Sequence, residues 1–300
     1  MSADTAARPS PAQWVAGARP RTLPAAVAPV LVGTAVALHA DAFSPVRALL
    51  ALLVSLALQV GVNYANDYSD GIRGTDTDRV GPLRLVGSGL ARPAAVKAAA
   101  FGCFGLAAVA GLVLVALSSQ WWLVAVGAAC IAAAWYYTGG KSPYGYLGLG
   151  ELFVFVFFGL VAVCGTTLVQ VGSVPLAALF GGVGIGALAC ALLVANNLRD
   201  IDGDRLVAKR TLATRIGASA TRSLYAALVG LALVALVVLA GLTSWWALLG
   251  VVGLALLVPA LRIVLGGGVG PRLIQVLKAT GTSELVYAVG VIAGVAISRL

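Results

Sequence analysis

The chain has 300 residues, of which 60% are hydrophobic and only 10% are charged, and its formal net charge is +9. Soluble globular domains carry about 25% charged residues, so the composition excludes a soluble domain. The positive charge does not indicate a nucleic-acid platform, because no run of basic residues alternates with aromatic side chains.

Apolar stretches recur down the chain, and many are long enough to cross a bilayer as helices of about 20 residues. We predict an all-α bundle of about nine transmembrane helices that forms one domain over residues 1–300, with residues 1–10 disordered. Residues 13–23 are expected to lie along the membrane interface. The predicted spans are approximately 24–39, 47–66, 94–117, 120–137, 149–169, 176–197, 222–242, 245–264 and 273–297.

Basic residues are distributed unequally between the two membrane faces of this topology. Of the 20 Lys and Arg residues, only Arg47 and Arg299 lie at one face, and the others lie at the opposite face. The positive-inside rule assigns the basic face to the cytoplasm. We therefore expect a multi-pass protein of the cell membrane, with the N-terminus in the cytoplasm and the C-terminus outside.

The first polar cluster follows the second predicted span. If the helix continues beyond its apolar part, Asn63, Asn66, Asp67 and Asp70 fall at i, i+3, i+4 and i+7, which is a single helix face. Two carboxylates on one face repel each other and are costly to desolvate unless a cation binds them.

A second Asn-x-x-x-Asp arrangement ends the sixth predicted span, at the same membrane face. Carboxylates and amides without nearby His or Cys are hard oxygen ligands, which suit Mg²⁺ better than zinc. Mn²⁺ remains an alternative ion. The predicted metal ligands of the two clusters are Asn66, Asp67, Asp70, Asp76, Asn196, Asp200 and Asp204.

Basic residues flank both clusters and are suited to phosphate oxygens, the arginines in bidentate fashion. The predicted diphosphate-binding residues are Arg73, Arg79, Lys209 and Arg210. Acidic clusters with Mg²⁺ at the mouth of an apolar bundle fit a lipid diphosphate, with its head at the clusters and its tail among the helices. Helix capping or ion pairing on a solvated face is a weaker interpretation, because the same Asn-to-Asp spacing occurs twice at one face.

These residues resemble a known family. Asn66-Asp67-Tyr68-x-Asp70, with the later Gly74-Thr75-Asp76 and Asp78-Arg79-x-Gly81-Pro82, is similar to the first Asp-rich motif of the UbiA superfamily of intramembrane prenyltransferases. Asn196-Asn197-x-Arg199-Asp200-x-x-x-Asp204 resembles the second motif. The general pattern of the family has a ligand at position 74, which is Gly74 here, and we expect Asp76 to take that role.

The form of the first motif resembles the dihydroxynaphthoate branch of the superfamily. The resemblance implies helices around a central cavity open to lipid, and transfer of a polyprenyl group from its diphosphate to 1,4-dihydroxy-2-naphthoate. The transfer would release carbon dioxide and pyrophosphate and give demethylmenaquinol. The residues expected to be catalytic are Asn66, Asp70, Asp200 and Asp204.

The acceptor site is predicted less directly, from polar residues between the fourth and fifth spans. Lys141, Tyr137 and Glu151 are the candidate acceptor-binding residues. Glu151 either orients the acceptor or pairs with Lys141, and both interpretations stay open. Tyr136, Tyr137, Tyr144 and Tyr146 either line the acceptor pocket or anchor the protein at the interface.

Three alternative functions follow from the same residues. Another aromatic prenyltransferase of the superfamily would retain the acceptor's carboxylate. A CDP-alcohol phosphotransferase shares the start of the first motif, but its signature requires Ala-Arg where this chain has Gly74-Thr75. An ion-coupled transporter would place its acidic residues near the bilayer midplane rather than at one face. The expected partners are the two substrates and the bilayer, without nucleic acid, and the oligomeric state is left open.

Overall fold

The computed structural model describes residues 9–74, 83–141, 143–206 and 209–300, and no strand occurs in these ranges. Short 3-10 turns occur at Pro20–Thr22, Tyr144–Tyr146 and Trp245–Gly250, and a π-helical segment at Phe155–Val161 joins α6 to α7. The α-helices are α1 (Pro11–Gly17), α2 (Pro24–His39), α3 (Pro45–Arg73), α4 (Pro93–Ser118), α5 (Leu123–Tyr136), α6 (Gly150–Val154), α7 (Ala162–Val171), α8 (Leu176–Leu206), α9 (Leu212–Leu242), α10 (Val251–Ala255), α11 (Val258–Leu265) and α12 (Pro271–Ile297).

The predicted all-α membrane bundle is confirmed, while the count of nine spans is approximate. Six helical segments of the described chain are long and apolar enough to cross a membrane, namely α3, α4, Gly150–Val171, α8, α9 and α12. Two bent helix pairs raise the number to as many as eight. The fourth predicted span corresponds to α5, an apolar helix of only 14 residues.

Proline accounts for both bends. Pro11–Thr22 meets α2 at 50°, where Pro24 is the first residue of α2 and Pro20 starts the 3-10 turn just before the bend. The predicted span 245–264 is broken rather than continuous, because Pro259 lies in the first turn of α11 and the two parts meet at 46°. Proline lacks the N–H that a continuing helix requires, so it starts a new helix at low cost.

The largest apolar core surrounds α8, which packs against α2, α9 and α12. Glycines allow close approach at the contact between α8 and the π-helical segment. A Cβ on Gly159 would lie 2.5 Å from the Gly182 carbonyl oxygen and 2.6 Å from the Gly186 Cα. Small residues at such crossings permit the tight packing that holds membrane helices together.

An apolar cavity of about 540 Å³ lies among α3, α4, α5 and the helix Gly150–Val171. Asn66, Tyr137 and Tyr144 are polar residues of its wall, and Leu114 and Val169 are apolar ones. The cavity therefore connects the polar end of α3 with the apolar interior of the bundle.

Helices α3 and α8 both continue beyond their apolar parts, as expected for the first cluster. Helix α3 ends at Gly74, which adopts the left-handed conformation with φ of +71° and donates its N–H to Asp70 and Gly71 carbonyls. Glycine is the residue best suited to this capping position. Position 74 therefore serves the backbone of α3.

The disorder predicted for residues 1–10 is tested only in part. Residues 1–8 lie outside the described chain, whereas Ser10 is ordered as the N-cap of α1.

The contact at Gly159 generates a test of the packing. Gly159→Ala forces a methyl group into the backbone of α8, and overpacking of this kind costs about 1–3 kcal/mol. We predict a lower unfolding temperature in detergent for Gly159→Ala. Gly165→Ala is the matched control, because a Cβ there meets nothing within 4 Å, and a lower unfolding temperature in both variants would contradict the assignment.

Candidate active site

The end of α3 binds the loop between α5 and α6 (residues 137–149, of which 142 lies outside the described chain). Thr138 Oγ1 donates to Asn66 Oδ1 at 2.8 Å, and the Tyr146 hydroxyl donates to Asp70 Oδ1 at 2.7 Å. The Arg73 guanidinium donates to the carbonyl oxygens of Thr138 and Gly140. Asn66, Asp70 and Arg73 lie at i, i+4 and i+7, so one face of α3 holds this loop.

Asp67 binds a different segment. It is completely buried, and its two carboxylate oxygens accept the backbone N–H groups of Leu85 and Val86 at 2.7 and 3.0 Å. Asn63 turns toward the N-terminal region and donates to the Ala18 carbonyl and to Thr22 Oγ1. The single cation-binding face expected from the spacing is therefore divided among three sets of partners, namely the α5–α6 loop, residues 85–86 and the N-terminal region. The metal role of Asp67 stays a prediction, and its observed contacts hold residues 83–91 against α3.

Arg84 supplies positive charge to the first cluster. Its guanidinium lies 3.5 Å from Asp70 Oδ2, and the two side chains are only 11% and 6% exposed. Asp70 therefore lies between Arg84 and the Tyr146 hydroxyl. Arg73 reaches loop carbonyls instead, so the diphosphate contact predicted for it would require release of those bonds.

The second cluster lies on the last turns of α8, where Asn196, Asp200 and Asp204 are spaced four residues apart. The Arg199 guanidinium donates to both Asp200 oxygens, each at 2.7 Å, and to Asn196 Oδ1 at 2.9 Å. A cationic group thus sits on two predicted metal ligands. This arrangement shows that their oxygens converge well enough to bind positive charge.

Lys209 connects the second cluster to the first. Its ammonium lies 3.8 Å from Asp204 Oδ1 and 4.8 Å from the centroid of the Tyr146 ring. The backbone N–H of Arg210 donates to the Tyr146 carbonyl oxygen at 3.1 Å, while the Arg210 side chain is exposed. The contacts Asp70–Tyr146–Lys209–Asp204 therefore bring the two predicted clusters together at one end of the bundle.

The candidate acceptor-binding residues have separate surroundings. Tyr137 lines the cavity and packs edge-on against Tyr144, which in turn stacks on Phe153 with ring centroids 4.0 Å apart. Glu151 is buried and accepts a 2.9 Å bond from Asn197, whereas Lys141 is exposed. The Glu151–Lys141 pair left open by the sequence is therefore wrong.

Tyr144 keeps its proton at neutral pH. Burial raises the pKa of its phenol above the ordinary value, because the charged form would lose its hydration. The hydroxyl donates to the Ala133 carbonyl oxygen at 2.8 Å. Tyr144 therefore presents a neutral aromatic face to the cavity.

Comparison with known proteins identifies the family of this chain. The UbiA prenyltransferase family model matches residues 26–266. The chain belongs to the UbiA prenyltransferase family. It is 54% identical over 289 residues to the 1,4-dihydroxy-2-naphthoate octaprenyltransferase of Mycobacterium tuberculosis, with 96% of this chain and 98% of that protein covered.

Solved structures show that the fold is that of the family. A UbiA homologue from Aeropyrum pernix matches with a TM-score of 0.68 at 15% identity, covering 93% of this chain and 98% of that one. A UbiA homologue from Archaeoglobus fulgidus bound to GPP and Mg²⁺ matches with a TM-score of 0.64 at 12% identity, covering 95% and 99%. The family match and the 54% identity to a curated prenyltransferase show that the CDP-alcohol phosphotransferase and transporter alternatives are wrong.

The oxygen set fits a divalent ion that shares its coordination shell. In the described ranges, no three acidic side chains converge closely enough to hold a metal by themselves. Asp70, Asp200 and Asp204 nevertheless offer hard oxygens, and Mg²⁺ commonly keeps waters and completes its shell with substrate phosphates. Asp76 and Arg79 lie outside the described residues, so their predicted roles stay predictions, as do those of the other metal ligands.

Sequence reasoning missed two contacts of this UbiA-family site. Arg84 received no role, although it belongs to the same polar stretch as Arg73 and Arg79. Tyr146 was predicted to line the acceptor pocket or to anchor at the interface, yet its hydroxyl binds Asp70. Both residues lie in polar loops, and this position is the feature of the sequence that could have indicated a role for them at the site.

Asp67 provides a test that separates a structural role from a purely metal-binding one. Asp67→Asn replaces one acceptor oxygen by an NH₂ group that would face a backbone N–H. Leaving such buried groups unpaired costs about 1–3 kcal/mol, so the unfolding temperature in detergent should fall. Asp202→Asn is the control, because that side chain is 91% exposed; unchanged stability of Asp67→Asn in metal-free buffer would contradict the assignment.

Proposed function

We propose that this protein transfers a polyprenyl group from polyprenyl diphosphate to 1,4-dihydroxy-2-naphthoate in menaquinone synthesis. The observation that carries the proposal is the 54% identity, over nearly the full length of both chains, to a 1,4-dihydroxy-2-naphthoate octaprenyltransferase. The two linked clusters and the adjoining apolar cavity supply a place for each part of a lipid diphosphate.

The diphosphate would bind at the polar end, where both clusters meet. Lys209 and Arg210 lie beside the second cluster, and Arg84 lies beside the first. These side chains can neutralise phosphate oxygens by charge-assisted hydrogen bonds. Mg²⁺ held by Asn66, Asp70, Asn196, Asp200 and Asp204 would neutralise the pyrophosphate that leaves.

Arg199 would change partners when the ion binds. In the structure it donates to Asp200 and Asn196, the oxygens that the proposal assigns to the metal. A divalent ion on those oxygens repels the guanidinium at short range. The freed guanidinium, still tethered on α8, is then within the same cluster as the diphosphate.

The cavity would hold the tail and shield the reacting carbon from water. Asn66 lies on the cavity wall, so the diphosphate end and the apolar space adjoin. Tyr144, Phe153 and Phe157 add aromatic side chains to that wall. Aromatic faces attract positive charge and exclude water, and both effects favour an allylic cation over its hydrolysis.

The bond changes balance without an added oxidant or base. The carbon–oxygen bond of the prenyl diphosphate breaks with its electrons going to pyrophosphate. The electron-rich naphthoate ring forms a carbon–carbon bond to the allylic carbon. The bond to the acceptor's carboxylate then breaks, releasing carbon dioxide and returning its electrons to the ring, which gives demethylmenaquinol.

The positive-inside rule supports a cell-membrane protein with its active site at the cytoplasmic face. Arg73, Lys209 and Arg210 lie at the end of the bundle that carries the clusters, whereas Arg47 binds carbonyl oxygens at the ends of α4 and α7. The diphosphate group of one substrate and the naphthoate would then reach the site from the cytoplasm.

The two clusters should behave as one unit in turnover. Asp70→Asn and Asp200→Asn each remove a ligand oxygen, so each should abolish most of the Mg²⁺-dependent activity of the purified protein. The double variant should lose little more than either single variant, because parts of one unit have non-additive effects. Retention of most activity by either single variant would contradict a shared metal site.

Acceptor labelled at its carboxyl carbon tests the substrate assignment. Label should leave as carbon dioxide in step with pyrophosphate release when purified protein, a polyprenyl diphosphate and Mg²⁺ are combined. Boiled protein provides the control for spontaneous decarboxylation. Label retained in the prenylated product would place the protein in another aromatic branch of the same superfamily.

A further inference from the structure

Tyr146 contacts Asp70 of the first cluster and also the basic residues Lys209 and Arg210, which flank the second cluster. It lies in the 3-10 turn Tyr144–Tyr146 of the α5–α6 loop. Its hydroxyl donates to Asp70 Oδ1 at 2.7 Å, and its carbonyl oxygen accepts from the Arg210 N–H at 3.1 Å. One side therefore binds the end of α3, and the other binds the segment that follows α8.

The ring of Tyr146 also contacts one basic side chain beside each cluster. Arg73 Cζ lies 5.6 Å from the ring centroid, and Lys209 Nζ lies 4.8 Å from it. Cation–π contacts contribute about 0.5–2 kcal/mol, depending on desolvation. Because Arg73 and Lys209 carry like charges, the shared ring lowers the cost of holding the two segments close together.

The loop around Tyr146 is fixed on both sides, which makes the residue a rigid link. The Gly145 N–H donates to the Tyr137 carbonyl oxygen at 3.0 Å, and a Cβ on Gly145 would lie 2.6 Å from that oxygen. Gly148 has φ of +74°, and a Cβ there would lie 3.0 Å from both the Arg210 carbonyl oxygen and the Arg215 Nε. The turn is thus packed against α5 before Tyr146 and against the start of α9 after it.

We propose that Tyr146 is a positioning residue that holds the two Asp clusters at the separation required to share one metal–diphosphate complex. The inference rests on the proposed function, since it assumes that both clusters bind the same diphosphate. Tyr146 acts through Asp70 and through Lys209, and it does not contact the reacting carbon. The hydroxyl holds the Asp70 carboxylate in one orientation through its bond to Oδ1. Partners that orient a metal ligand typically contribute 10- to 100-fold in metal affinity or activity.

The contacts distinguish this role from the two that the sequence suggested. An interfacial anchor directs its hydroxyl to the headgroups, and an acceptor-pocket residue directs it into the cavity. The Tyr146 hydroxyl instead binds the carboxylate of Asp70, a side chain that is only 6% exposed.

The test compares Tyr146→Phe with Tyr225→Phe in the purified full chain. Tyr146→Phe keeps the ring and removes the hydroxyl that binds Asp70. Tyr225→Phe is the matched control, because it removes a similar 2.8 Å hydrogen bond to Thr280 Oγ1, between α9 and α12, which involves no cluster residue. Two readouts are needed: Mn²⁺ affinity by electron paramagnetic resonance with a non-hydrolysable prenyl thiodiphosphate present, and steady-state kinetics in Mg²⁺.

Tyr146→Phe should weaken Mn²⁺ binding about 10-fold and lower kcat/KM for the prenyl diphosphate by about 10-fold or more. Its KM for the naphthoate and its unfolding temperature should stay near wild type, which a purely structural role would not produce. Tyr225→Phe should match wild type in Mn²⁺ affinity and kinetics. Wild-type Mn²⁺ affinity in Tyr146→Phe would overturn the inference.

The two proposals fail in distinguishable ways. Absence of prenyl transfer by the wild-type chain would overturn the proposed function, whereas the Mn²⁺ titration would still measure the effect of Tyr146. Normal transfer by wild type together with unchanged Mn²⁺ affinity in Tyr146→Phe would overturn only the role of Tyr146. A wild-type chain that binds no Mn²⁺ at millimolar concentration would overturn the inference as well.

Discussion

The polar end of α3 is the constraint on which the site depends. A helix that continues out of its apolar part must satisfy the carboxylates it carries, since an unpaired buried charge is costly. Asp67 is satisfied by two backbone N–H groups of residues 85 and 86, and Asp70 by Tyr146 and Arg84. The same bonds that satisfy these carboxylates also fix two neighbouring loops against the end of α3.

The site follows from the meeting of this end with the end of α8. Helix α8 is the centre of the largest apolar core, so its position is set by packing along most of its length. Its last turns then carry Asp200 and Asp204, which pair with Arg199 and Lys209. A polar rim with both signs of charge, above a cavity with an apolar wall, suits a substrate with a charged head and an apolar tail.

Hydropathy and spacing predicted the parts of the structure that depend on local sequence. Apolar length identified the membrane bundle, and the Asn-x-x-x-Asp spacing identified both helix ends. The different partners of Asp67 and Asp70 could not be predicted in this way, because Leu85 lies 18 residues from Asp67 and Tyr146 lies 76 residues from Asp70. The break in span 245–264 could have been predicted from Pro259, although hydropathy alone gives a continuous apolar stretch.

A structure with Mg²⁺ and a non-hydrolysable prenyl thiodiphosphate would test the central claim most directly. We expect the diphosphate to lie between Asp70 of α3 and Asp200 of α8, with the tail in the 540 Å³ cavity and Arg199 moved off Asp200. A diphosphate bound to only one cluster, with Arg199 still on Asp200, would contradict the account.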